Sequence, residues 1–163
     1  MMKYIIYALL IFLSFNNYSF ANDYESDEHL LARKIISAAG DDPKIEKPFE
    51  DCVKKISEID WRHGYEICCS VEEERLKKIM NRTYSNIIKS GIDHNDKLRI
   101  ENAQRTWLSF KKQFCDLHEH FLVAYGVLGM QTMLGIEIEL LRTQAVLLKN
   151  LNEFVQEYIE YSK

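Results

Sequence analysis

Apolar residues recur at steps of three and four along most of the chain, which is the spacing of one face of an α-helix. The most regular run forms a single seam suited to antiparallel packing, at Ile100, Ala103, Trp107, Phe110, Phe114, Leu117 and Phe121. No stretch shows the alternation of a strand, and only 6 glycines and 2 prolines are available to interrupt helices. The pattern therefore predicts an all-α protein with long helices.

Capping and turn residues place the first three helices. Two short helices are predicted over residues 27–39 and 48–59. A third helix is predicted to begin at Ser70, which can form a capping box with Glu73. Gly91 is placed to end that helix in a left-handed turn.

Two further helices complete the predicted architecture. Asp93 or Asn95 can cap the fourth helix, and Gly126 precedes a last helix over residues 128–161 with a bend expected at Gly135. One apolar stripe of the last helix holds Leu140, Leu147, Leu151, Phe154, Tyr158 and Tyr161, and a parallel one holds Leu134, Ile138, Leu141, Leu148, Val155 and Ile159. We expect an antiparallel bundle of three longer helices with one or two short N-terminal helices.

The N-terminus has the features of a signal peptide. Lys3 precedes an apolar stretch over residues 4–15 that is too short to span a bilayer, and small residues at Ser19 and Ala21 place the cut after Ala21. We therefore predict a signal peptide over residues 1–21 and a single helical domain over residues 22–163. The mature protein is expected in the periplasm or secreted, with no membrane anchor.

The charge balance excludes some partners. Losing Lys3 with the signal peptide leaves 20 basic against 25 acidic residues, a net charge of −5. This sign disfavours nucleic acid and suits a basic protein partner.

The four cysteines, in a chain predicted to leave the cytoplasm, predict two disulfides. Adjacent cysteines bridge only with a strained peptide, so a bond between Cys68 and Cys69 is not expected. Cys115 then pairs with Cys68 or Cys69, and Cys52 takes the other. The predicted protein is therefore stapled by disulfides.

No motif in the sequence supports catalysis. There is no nucleophile motif, phosphate loop or dinucleotide fingerprint, and pairs such as Glu72 with Glu73 are typical of solvated acidic helix faces. Cys115, His118 and His120 resemble zinc ligands, but on a helix His120 points well away from His118. We predict no catalytic residue, no metal and no cofactor.

Several motifs resemble the LprI-type lysozyme-inhibitor family of exported bacterial proteins. The family shows a cysteine, then Leu-Asn and a tyrosine, then Leu-x-x-Ala-Gln-x-Ala-Trp-x-x-Phe-Arg-Asp-x-x-Cys, then Thr-x-x-Arg on a final helix. The residues of this chain that match are Cys68, Asn81, Tyr84, Ala103, Gln104, Trp107, Phe110, Cys115 and Arg142. The resemblance covers roughly residues 52–151.

The chain also departs from the family pattern. Lys111-Lys112 replace Arg-Asp, Thr106 replaces alanine, and a cysteine usual near the start of the last helix is absent around Leu134. The resemblance implies that the extra Cys69 takes over the lost pairing role.

The resemblance implies an exported binding protein that inhibits a basic lysozyme by occluding its cleft. Acidic segments at Asp41-Asp42 and from Asp93 to Asp96 are then candidates to meet cationic groups on the enzyme. The alternative is a module that binds an envelope or host protein through its broad C-terminal helical face, without inhibiting lysozyme.

Overall fold

The computed structural model describes residues 26–161, apart from the side chains of residues 118, 119, 121 and 122. It contains helices α1 (Asp27–Ile36), α2 (Lys47–Ile59) and α3 (Gly64–Lys89), with a 3₁₀ turn (Ser37–Ala39) after α1. A long helical region, His94–Tyr161, follows. The described residues include no strand, so the all-α prediction is confirmed. The predicted signal peptide lies outside the described residues.

The long helical region is a hairpin of two helices that meet at Gly126. This glycine has φ 59° and ψ −143°, a conformation essentially restricted to glycine. We call residues 94–125 α4 and residues 127–161 α5. The Gln144 side chain donates to Gln104 Oε1 at 2.8 Å across 40 residues of sequence, so α4 and α5 run antiparallel. The break at Gly126 is as the sequence predicts.

The helix is not interrupted at Gly135, where a bend was expected, because the backbone of α5 stays helical there. A Cβ at this position would lie 2.8 Å from the Tyr65 hydroxyl. The glycine thus serves close packing of α5 against the start of α3.

Helices α3, α4 and α5 form the antiparallel bundle that the sequence predicts. Their largest cluster of buried residues is built mainly from α3 and α5, with Ile100 and Trp107 of α4 packed against it. Its members are Cys69, Leu76, Ile79, Met80, Ile87, Ile92, Ile138, Leu141, Ala145, Leu148 and Val155.

The two short helices pack on the other side of α3. Ala32 and Ile36 of α1 and Ile56 of α2 are buried against Ile67 and Val71 of α3. A disulfide joins Cys52 of α2 to Cys68 of α3. The structure thus holds one of the two predicted bridges, and Cys69 and Cys115 are thiols.

Two predicted helix boundaries differ from the structure. Helix α3 begins at Gly64 rather than Ser70, because the Asp60 carboxylate accepts from the backbone N–H groups of Arg62 and His63 and turns the chain early. Gly91 does not have positive φ, so the predicted left-handed turn is wrong.

Of the two residues predicted to cap the fourth helix, Asp93 is confirmed as the cap. Asp93 Oδ1 accepts from the backbone N–H groups of Asn95 and Asp96, at 2.6 and 3.1 Å. These bonds satisfy donors that the first turn of α4 leaves without helical partners.

The predicted seam of α4 is partly wrong. Ala103, Phe110 and Leu117 are exposed, whereas Gln104 is 6% exposed. The inward side runs instead through the buried Gln104 and the half-buried Trp107, Lys111 and Cys115, so it is rotated away from the predicted seam, with which it shares only Trp107. Helix α4 packs against two neighbours, and their positions rather than the apolar pattern decide which side faces inward.

Candidate protein-binding surface

The two apolar stripes of α5 have different environments. Ile138, Leu141, Leu148 and Val155 of one stripe are buried in the core. The other stripe faces outward, with Leu147 56%, Phe154 64%, Tyr158 58% and Tyr161 91% exposed. We call the outward set, together with the half-buried Leu151, the outer stripe.

The outer stripe has the spacing of a helix-binding seam. Its members, Leu147, Leu151, Phe154, Tyr158 and Tyr161, follow one another at steps of four, three, four and three. This is the repeat by which a helix packs its side chains against a second helix. An exposed apolar row of this kind is typical of a binding surface.

Carboxylates flank the outer stripe on the side away from the core. Glu153, Glu157 and Glu160 are exposed, and each directly precedes an aromatic member of the stripe. Because successive helical residues are about 100° apart, each glutamate lies beside its aromatic neighbour. No lysine or arginine occurs from residue 150 to residue 161. The surface is therefore apolar with an acidic border.

A depression of about 300 Å³ lies at the N-terminal end of the outer stripe, with Leu147 in its lining. Lys44, Glu46, Glu139 and Arg142 contribute its polar lining. The Glu46 and Glu139 side chains are 54% and 62% exposed. A depression of this size accommodates one large side chain of a partner, the usual form of an anchor contact.

A buried ionic cluster lies behind this depression. Glu72 is 1% exposed and accepts two hydrogen bonds from Arg75, both at 2.8 Å, and one from Arg142 at 3.1 Å. Arg142 also contacts Glu139 and lies 5.9 Å from the Phe49 ring centroid. The cluster joins α2, α3 and α5.

Arg75 ties the N-terminal loop to the same cluster. Its Nη1 donates to the backbone carbonyls of Gly40 and Asp42, both at 3.1 Å. The expectation that Glu72 belongs to a solvated acidic face is thus wrong for this residue. Glu72 falls one turn before Leu76 on the apolar stripe of α3, which is the signal in the sequence that it is buried.

The acidic segments expected to meet a partner are engaged within the chain. The Arg82 guanidinium donates to Asp41 at 2.9 Å and holds the pKa of that carboxyl below its usual range. Asp42 accepts from the backbone of Lys44, which lowers its pKa, and lies 3.5 Å from Lys149. Asp93 caps α4.

The six residues singled out by the family motifs lie in separate parts of the bundle. Gln104 and Arg142 are buried with side-chain partners, Tyr84 and Trp107 pack against the core, and Asn81 is half-buried. Phe110 is 50% exposed and stacks on Phe114 with ring centroids 6.1 Å apart. The six residues therefore do not converge on one site.

The hairpin end is a second exposed apolar region. Val123 is 88%, Tyr125 65%, Val127 61% and Leu128 74% exposed. Residues 121–136 include no charged side chain. We call residues 123–128 the hairpin tip.

The described residues hold neither a cluster of metal ligands nor a membrane-spanning helix. Among the residues with described side chains, no three histidines, cysteines or acidic residues are grouped to hold a metal ion. The His118 side chain of the zinc hypothesis lies outside that set. Within residues 26–161 no helix is both long and apolar enough to cross a membrane.

Comparison of the chain with models of known families, with curated proteins and with solved structures finds no match in any of the three.

Proposed function

We propose that the protein is an exported binding protein that holds a basic protein partner on the outer stripe of α5. The observation that carries this proposal is the exposed aromatic row of Phe154, Tyr158 and Tyr161 with a glutamate beside each ring. Aromatic side chains are enriched among the few residues that carry most of the binding energy at protein interfaces, and the carboxylates select a cationic partner.

The surface fits a protein partner better than a small ligand. The outer stripe extends over four turns of helix and is convex, whereas small-molecule sites are concave. Its apolar members and acidic border match a cationic amphipathic surface. The disulfide between Cys52 and Cys68 supports export, since such bonds persist mainly in oxidising compartments.

A basic lysozyme is the partner we propose in particular. The LprI-type motifs imply this class of partner, and the acidic border supplies the charge that such an enzyme would meet. Binding across the enzyme's cleft would exclude the cell-wall substrate. In this role the protein is an inhibitor with no catalytic residue of its own.

The second candidate is an envelope or host-protein interaction module that does not inhibit lysozyme. The hairpin tip favours it, because Val123 and Leu128 are strongly exposed and residues 121–136 include no charged residue that would select a basic enzyme. Such a partner would present an apolar groove to the tip.

Variants of the two surfaces separate these candidates. The mature, oxidised protein is mixed in micromolar excess with lysozymes of several types at low salt, and cell-wall lysis is followed. We expect stoichiometric inhibition that Phe154→Ala with Tyr158→Ala weakens at least tenfold. Phe110→Ala is the matched control, because it removes a half-exposed phenylalanine from α4 and should leave inhibition unchanged.

Unchanged lysis rates with every lysozyme would rule out the lysozyme proposal. Inhibition that is lost in Val123→Ser with Leu128→Ser but kept in the α5 variant would move the binding site to the hairpin tip. A sample reduced with dithiothreitol shows whether inhibition also depends on the disulfide.

A further inference from the structure

Two cysteines of the bundle are not used by the disulfide to α2. Cys69 lies on α3 directly after the bridged Cys68 and is 2% exposed, and Cys115 lies half-buried on α4. Two thiols in a protein that already holds a disulfide raise the question of whether they face each other.

The way α3 packs against α4 indicates that the two cysteines face each other. Lys111 Nζ of α4 lies 3.6 Å from Glu73 Oε1 of α3, which fixes one layer of contact between the two helices. In an antiparallel pair, residues further toward the C-terminus of one helix lie opposite residues further toward the N-terminus of the other. Cys115 follows Lys111 by four residues, and Cys69 precedes Glu73 by four. One helical turn carries both cysteines to the same next layer.

The surroundings of the two thiols agree with this placement. Besides burial, the carboxylates of Glu73 and Glu137 raise the pKa of both the Cys69 and the Cys115 thiol, which agrees with a shared environment for the two cysteines. The Tyr84 phenol of α3 is influenced by Glu101 and Arg105 of α4, which continues the same register toward the other end of the pair.

We propose that Cys69 and Cys115 are the site of a second disulfide, which joins α3 to α4 when the protein is oxidised. The bond would cross-link α3 and α4 between the Lys111–Glu73 contact and the hairpin tip. It is independent of the proposed function, since neither cysteine belongs to the outer stripe.

The bond forms by two exchange steps with a small disulfide such as oxidised glutathione. The Cys115 thiolate attacks one sulfur of the oxidant, forms a mixed disulfide and expels one glutathione thiolate. The Cys69 thiolate then attacks the Cys115 sulfur and expels the second. The two cysteines lose two protons and two electrons, and the oxidant becomes two glutathione thiols. Cys115 reacts first because it is the more exposed.

Both steps are slow at neutral pH. Burial raises the pKa of the Cys115 thiol to about 11 and that of the Cys69 thiol to about 12. Only the thiolate is nucleophilic, so the rate should rise about tenfold per pH unit below these values. This bridge therefore forms later than one between ordinary surface cysteines.

The test is peptide mapping after oxidation of the full mature protein. The protein is incubated with oxidised glutathione at pH 8.5, remaining thiols are alkylated, and trypsin products are weighed. We expect residues 45–54, 63–75 and 113–142 to emerge as one product joined by two disulfides. The intact protein should lose the mass of two hydrogen atoms.

Cys69→Ser identifies the partner. In this variant the peptide 113–142 should separate with an alkylated Cys115, while 45–54 and 63–75 stay joined. A Cys115 that remains alkylatable in the native protein after prolonged oxidation would overturn the proposal. So would a Cys115 that stays linked to 63–75 in the Cys69→Ser variant, because its partner would then be Cys68.

Discussion

At the residue scale, a few buried polar side chains fix how the helices meet. Glu72 holds two arginines from different parts of the chain, and Gln104 meets Gln144 across the hairpin. A buried charge needs an ionic partner. If that partner is removed, the charge stays buried without compensation and the fold is destabilised. These residues therefore specify the arrangement that the apolar positions alone leave open.

Removal of Arg142 should lower the stability of the fold. Arg142→Ala leaves Glu72 with Arg75 as its remaining ionic partner, and we expect a loss of about 3 kcal/mol in the free energy of unfolding. Arg82→Ala is the control, since it breaks the exposed pair with Asp41 and should cost less than about 1 kcal/mol. Urea titrations followed by circular dichroism measure both, and equal losses would contradict the role given to the cluster.

Tyr84 should make the protein sensitive to alkali. Burial, and then the nearby Glu101, raises the pKa of the Tyr84 phenol from 10.0 to about 12. A raised pKa in the folded state contributes stability that is complete below pH 10 and is lost as pH rises toward 12. Tyr84→Phe should flatten the fall in thermal midpoint between pH 10 and pH 12. An unchanged slope would show that this phenol does not contribute.

At the element scale, the sequence predicts which segments are helical better than it predicts their ends and faces. Pro48 and Gly126 mark boundaries because their backbone requirements are local. The start of α3 depends on Asp60 side-chain bonds, and the inward side of α4 depends on two neighbours. Such features follow from tertiary contacts, so the pattern of one segment does not determine them.

Gly126 should tolerate a side chain less well than Gly91, the other glycine at a junction between helices of the bundle. Gly126→Ala places a Cβ on a backbone with φ 59° and ψ −143°, and we expect a cost of about 1–3 kcal/mol. Gly91→Ala is the matched control, because a Cβ there meets nothing within 4 Å and φ is not positive. Thermal unfolding of both variants compares them. A smaller effect at Gly126 than at Gly91 would contradict the hairpin geometry.

At the scale of the whole molecule, the candidate binding surface was only partly predictable from the sequence. The two stripes of α5 are visible in the apolar spacing, but both have similar residues, and only packing shows that Leu148 turns inward and Phe154 outward. The sequence predicts that the acidic segment at Asp41 is available for a partner. It gives no sign of the ion pair with Arg82, which lies 41 residues away along the chain. Contacts of that range leave no local signal.

The association rate of a charge-reversal variant tests the central claim most directly. Glu153→Lys, Glu157→Lys and Glu160→Lys are combined, and binding to basic lysozymes is followed by stopped flow at low and physiological salt. The control combines Glu50→Lys, Glu58→Lys and Asp116→Lys, which makes the same change in net charge at exposed positions elsewhere. We predict that the α5 variant associates at least tenfold more slowly than the control at low salt, with a smaller difference at higher salt. Equal rates for the two variants, or no association with any basic lysozyme at micromolar concentration, would contradict the account.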